Sequence, residues 1–167
     1  MAYYLQLAGI DGDAIERGYE RWFEISDFTW SLGAVTASSA RGAVTTSTAR
    51  VAVTAPSGRG ARTGRMRWSA LVLTAPATAA LPLLVDTAES GRRIETARFD
   101  VVQGQRVLTT RYDLGDVLVT ALTVAGDDGG SPIFSFSLEY RQIALTTNRQ
   151  DAAGGVRPAH TGSWTVS

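Results

Sequence analysis

The 167-residue chain contains no cysteine and a single histidine, His160. The first absence removes disulfide staples, thiolate metal sites and cysteine nucleophiles together. The second removes any histidine-rich metal site within one subunit. Lysine is missing too, so all 16 basic residues are arginine; we attach no mechanism to that choice. They are balanced by 16 acidic residues, which leaves no field of one sign to draw the chain to nucleic acid or an anionic membrane. No uninterrupted apolar run approaches the ~20 residues of a membrane-spanning helix. The opening residues Met1-Ala2-Tyr3-Tyr4-Leu5-Gln6-Leu7 lack the basic start and apolar centre of a signal peptide. The expectation is a protein made in the cytoplasm, without direct membrane insertion, whose export would need a signal-independent machine.

What is present is an ordinary globular composition, 44% hydrophobic and 19% charged, in a chain long enough to bury one sizeable core. Short alternating or β-branched runs separated by Gly, Asp and Pro clusters predict a sandwich or barrel. Strands are expected at residues 3–7, 22–30, 50–54, 66–74, 94–102, 107–112, 116–125, 133–145 and 163–166. In 22–30, Trp22, Glu24, Ser26, Phe28 and Trp30 alternate with Phe23 and Ile25, which places apolar residues on both faces. A barrel core on one side and a partner subunit on the other would cover both. Residues 31–64 turn to Ala, Ser, Thr, Val, Gly and Arg and predict a long excursion, a length that usually binds something or moves. One helix is expected at 79–90, with Thr78 as its cap, Gly91 closing it, Pro82 in the first turn, and Leu81, Leu84, Val85 and Ala88 on one face. Gly126-Asp127-Asp128-Gly129-Gly130 predicts a hairpin turn, and residues 148–158 a polar loop.

The chain offers little to a catalyst. Asp11-Gly12-Asp13 superficially matches a calcium loop, but the twelfth position is Trp22 and not the required Glu; a turn explains it better. Gly58-Arg59-Gly60-Ala61-Arg62-Thr63-Gly64-Arg65, with Arg67 beyond it, is Gly-rich but lacks the Lys-Ser/Thr ending of a phosphate loop and precedes a predicted strand. The aromatic interleaving of single-strand binders is missing. A loop making subunit contacts is the better reading. His160 has no Gly-x-Ser-x-Gly elbow to work with and is read as surface. Paired carboxylates such as Glu24 and Asp27 could in principle do acid–base work, but single carboxylates on solvated strand faces are far commoner. No catalytic, metal or cofactor site is expected, and not an enzyme.

Several segments, in order, resemble the haemolysin-coregulated protein (Hcp) family of type VI secretion systems. Residues 4–13 are similar to its opening strand and turn, and Trp22-Phe23-Glu24-Ile25-Ser26-Asp27-Phe28-Thr29-Trp30-Ser31 to its second strand. Leu71-Val72-Leu73-Thr74, Leu83-Leu84 and Glu89-Ser90-Gly91-Arg92 resemble its strand, single helix and exit. Asp116-Val117-Leu118-Val119-Thr120, Phe134 to Tyr140 and Gly162-Ser163-Trp164 resemble its C-terminal strands. Residues 36–56 and Pro82 depart from the pattern. The resemblance implies one domain over 1–167: a small closed β-barrel of two packed sheets, with one flanking helix and a long extended loop. It implies hexameric rings stacked into a tube, propelled by a contractile sheath, tipped by a spike protein and carrying effectors. Within that picture, Ser57, Gly58, Arg59, Gly60, Arg62 and Gly64 form the expected ring-stacking loop. The competing readings are the inner tube of a phage-tail-like contractile particle and a monomeric β-sandwich binding module.

Overall fold

The computed structural model describes residues 1–34, 66–104, 106–126 and 128–166. Its chain falls into two units, 1–31 with 70–167, and 32–69. The larger unit is mainly β with one helix. Its strands are β1 (Ala2–Leu7), β2 (Phe23–Ile25) and β3 (Asp27–Thr29), followed after the smaller unit by β6 (Leu71–Pro76). Helix α1 (Leu81–Ser90) leads to β7 (Ile94–Gln103), β8 (Val107–Ala125), β9 (Ile133–Glu139), β10 (Gln142–Gln150) and β11 (Val156–Thr165). The smaller unit contributes β4 (Leu32–Ala34) and β5 (Met66–Trp68), paired antiparallel with Leu32 opposite Trp68.

All pairings are antiparallel, in the order β2-β1-β7-β8-β9-β6-β3, with β10 added to β8 and β11 to β10. The ladder divides into a first sheet (β2, β1, β7, β10 and β11 with the start of β8) and a second (β3, β6 and β9 with the rest of β8), joined by shared stretches of chain. β8 pairs with β7 and β10 through its first half and with β9 from Leu118 onward. The chain from Phe23 to Thr29 pairs first with β1 and then, after Ser26, with β6. The two ends of the ladder are therefore successive stretches of one strand. In place of the expected closed ladder, the wall is completed at Ser26 by the backbone itself, whose N–H donates to the Thr74 carbonyl at 2.7 Å.

That corner corrects the reading of 22–30. Phe23 and Ile25 are buried, and Phe28 is also turned inward, its ring 4.8 Å from that of buried Phe99 and 5.1 Å from that of Tyr3. The bend shifts the alternation by one residue, so inward positions run 23, 25, 28 and 30. From Phe23 onward the apolar positions are one face passing a corner, while Trp22 lies on the outer face against Tyr19. Trp30 completes the cluster, 5.6 Å from Tyr112 with its indole N–H donating to the Tyr140 hydroxyl at 2.6 Å. Opposite lie Leu71, Leu73, Phe134, Phe136 and Leu138 of the second sheet, each adding about 1.5–3 kcal/mol by leaving water.

Other boundaries moved where long-range pairing outweighed local signals. The two strands expected at 107–112 and 116–125 are one, β8, which runs through Gly115 for 19 residues. Gly115 stands between Thr96 and Gln142, and a Cβ there would meet the Gln142 side chain at 2.7 Å. The turn of direction falls at the next residue, Asp116 (φ 52°), which Arg93 and Arg141 hold by its carboxylate at 3.1 and 3.2 Å. The single strand expected at 133–145 is divided into β9 and β10 around Tyr140 and Arg141. The polar loop expected at 148–158 is largely ladder, with only residues 151–155 turning. There Asp151 takes the amides of Ala153 and Gly155 at 3.0 and 2.7 Å.

The helix begins at Leu81, with Ala80 at its N-cap. Thr78 reaches the Ala80 amide at 3.3 Å, and Pro82 sits where a missing N–H costs least. Gly91 closes it in the left-handed region at φ 67°. Leu84 is fully buried, but Val85 is 45% exposed; the inward partner of Leu84 is Thr87, whose hydroxyl is satisfied by the Leu83 carbonyl at 2.8 Å. Val85 is thus outside the core, contrary to the expected stripe.

Candidate functional site

No ligand-shaped centre emerges from the residues singled out by sequence. Asp13 Oδ2 accepts from the Thr78 hydroxyl at 2.7 Å and the Ala79 amide at 2.8 Å, so it ties the first turn to the approach of α1. These two hydrogen bonds, the hydroxyl first, hold its carboxyl below the usual carboxylate range. Asp11 turns instead to Arg21 at 3.9 Å. The pair acts as a turn with divergent side chains. Glu24 and Asp27 lie on either side of the Ser26 corner, in strands facing different neighbours. His160 is exposed on β11 opposite Thr147. Asp128 is exposed at the hairpin, while Asp127 lies outside the described residues. Among the described residues no group of three His, Asp or Glu side chains is placed to hold a metal ion.

The expected strand at 50–54 and the stacking residues Ser57, Gly58, Arg59, Gly60, Arg62 and Gly64 also lie outside the described residues. β4 and β5 bring the two ends of that excursion side by side, with Ala34 opposite Met66.

Sequence reasoning missed a polar centre on the outer face of the first sheet. Asp100 on β7 is fully buried, and Arg111 on β8 grips it with two hydrogen bonds of 2.7 Å. The Asp100 hydrogen bond raises the Arg111 pKa further above its ordinary value. Segment 9–22 folds over this pair. Tyr19 stacks on Tyr4 at 4.3 Å and meets Trp22 edge-on at 5.0 Å, and Glu16 pairs with Arg106 of the β7–β8 turn. Burial, then the Asp100 charge, push the Tyr19 hydroxyl up to about 12. One row further along, Arg98 binds Asp113 at 2.7 Å. The signal was legible in principle: Arg98-x-Asp100 and Arg111-x-Asp113 oppose each other if the hairpin is folded at Gly104.

Among the described residues β11 pairs with β10, and its residues from Val156 to Thr161 are exposed, an arrangement open to contacts from another chain. The family model described as "Type VI secretion system effector, Hcp" matches residues 4–146. Among solved structures, one titled as a type six secretion system protein superposes with a TM-score of 0.79 at 21% identity, covering 98% of this chain and 94% of its own. Hcp1 from Salmonella typhimurium gives 0.73 at 18% identity, covering 99% and 95%. A type VI secretion system effector from Yersinia pestis gives 0.72 at 12%, covering 98% and 99%. At these identities the structural likeness is one of fold. The search of curated proteins gives no match.

Proposed function

The chain belongs to the Hcp family of type VI secretion system proteins, and from that premise we propose that it forms closed hexameric rings that stack into a tube. The observation that carries this reading is the family match over 4–146 together with a fold shared along nearly the whole of each Hcp chain. The exposed stretch of β11 from Val156 to Thr161 supports it, since an exposed edge strand invites a neighbour. So does the described polar centre, Asp100 with Arg111, which ties adjacent strands into a rigid building block.

In this reading the whole chain, 1–167, acts as one Hcp-like building block. A contractile sheath propels the tube, a spike protein tips it, effectors travel with it, and export proceeds without a signal peptide. Residues 57–64, with Ser57, Gly58, Arg59, Gly60, Arg62 and Gly64, contribute to stacking of one ring on the next. Size-exclusion chromatography with light scattering and negative-stain microscopy test the ring: a hexamer mass and annular particles are expected, and a clean monomer at tens of micromolar refutes it. Deleting 57–64 is expected to abolish tubes and preserve rings; tubes of unchanged stability remove that loop from the stacking contact.

A further inference from the structure

Two surfaces, one basic and one acidic, stand at opposite ends of the larger unit. Beyond Thr147, β10 no longer pairs with β8, so β10 and β11 continue as a two-stranded ribbon whose residues 149–160 are all exposed. Its register sets Arg149 directly opposite Arg157. Like charges facing across a ladder destabilise it, and Asp151 is 4.0 Å from Arg157, whose side chain is 84% exposed, so the pair is weak. A two-stranded ribbon alone is marginal in water. On α1, Asp86 and Glu89 share a face at i, i+3, and the last turn carries no basic residue to offset Glu89 at the negative end of the helix. Arg92 next to them is turned to the Thr87 hydroxyl at 3.3 Å, and no described cation lies within ion-pair distance of Asp86 or Glu89. Leu83 and Val85 on the helix and Val156 on the ribbon are each exposed by more than two fifths.

The two surfaces complement each other but cannot meet within one chain. α1 ends at Gly91, just before the first residue of β7. The ribbon leaves from Asn148, whose side chain donates to the Leu108 carbonyl at 3.0 Å, beside the far end of β7, where Val102 pairs with Leu108. The ten residues of β7 separate them by about 30 Å at ~3.3 Å per residue, and β10 runs away from the helix. Resting on the reading of the chain as a self-assembling ring protein, we propose that the Arg149/Arg157 ribbon of one copy docks on the Asp86/Glu89 face of α1 of the next copy. Such a contact joins different patches of two identical chains head to tail, which builds rings or filaments and not simple dimers.

Charge exchange tests it. The double variants R149E/R157E and D86R/E89R alter only exposed side chains, so each is expected to keep the wild-type far-UV spectrum and melting midpoint of its dissociated form. Each should raise the concentration for half-assembly, read by light scattering, at least about tenfold, because like charges then face across the contact. The quadruple variant, and an equimolar mixture of the two doubles, should regain assembly, since every contact then again joins opposite charges. Wild-type assembly should also weaken as sodium chloride rises through the range where the screening length falls from ~10 Å to ~3 Å. Doubles that assemble at wild-type concentrations, a quadruple and a mixture that both fail to recover, or salt-independent assembly each overturn the contact while wild-type rings persist. A wild-type protein that stays monomeric overturns the contact and the ring reading together.

Discussion

Removing Arg111 should destabilise the protein more than removing Asp100, although the two are partners in one interaction. Asp100 is completely buried, whereas the Arg111 side chain keeps 30% of its exposure. Arg111→Met leaves a carboxylate without its two 2.7 Å hydrogen bonds in a place that segment 9–22 shields from water. Breaking a buried pair that way costs about 3–5 kcal/mol. Asp100→Asn leaves a guanidinium that can turn toward solvent and an amide that can still bond, for a loss of about 1–3 kcal/mol. With a denaturant slope of about 2 kcal/mol per molar urea, the midpoints should fall by about 1.5–2.5 M and about 0.5–1.5 M. The assay is urea unfolding followed by fluorescence and circular dichroism, at two protein concentrations so that ring dissociation is separated from unfolding. The double replacement Asp100→Asn with Arg111→Met removes both charges and should recover much of the loss, giving a coupling of about 1–3 kcal/mol between the sites. Equal losses from the two single variants, or additive losses in the double, would refute the argument.

Leu84→Ala should cost about 2–5 kcal/mol as a truncation of a fully buried side chain, while Val85→Ala one residue on should fall within about 0.5 kcal/mol; thermal or urea midpoints of the dissociated chain separate them. Asp13 has a lowered pKa in the folded state, so its contribution is present above the unfolded carboxyl value of about 4 and fades as pH falls through the folded value. Asp13→Asn should therefore lower the urea midpoint near neutral pH and flatten its decline on acidification; an unchanged acid limb counts against that role. Tyr19 has the opposite slope. Its folded value near 12 means the stability it supplies is complete below pH ~10 and is lost as pH rises toward 12, so Tyr19→Phe should weaken the alkaline decline, measured with ultraviolet titration of the tyrosinates.

The strands with a hydrophobic period were readable because local pattern and tertiary burial agree in them. Residues 3–7 became Ala2–Leu7 and residues 94–102 became Ile94–Gln103, and Gly91 ended the helix as its conformational freedom predicts. What failed depended on a partner far along the chain. Nothing in Ser26 itself announces a corner; the corner exists because β1 and β6 claim successive stretches of one strand. Pro158 and the polar residues of 148–158 signal a loop, but on an edge strand a missing N–H that would face solvent costs little, and pairing with β10 decides. The buried Asp100 was invisible because carboxylates are seldom fully buried; only the hairpin register, with Arg111 opposite it, makes such burial affordable.

The two shared strands have a mechanical consequence. Two sheets held only by side chains would separate by sliding, at the strength of their hydrophobic contact. Here β8 crosses from one to the other at Asp116, and the 23–29 strand crosses at Ser26. Pulling the sheets apart therefore loads the covalent backbone at both seams, and the weaker joint becomes the hydrogen-bonded ladder alongside, which must shear along its length. Under sudden axial thrust, the body would transmit force from face to face before it yields.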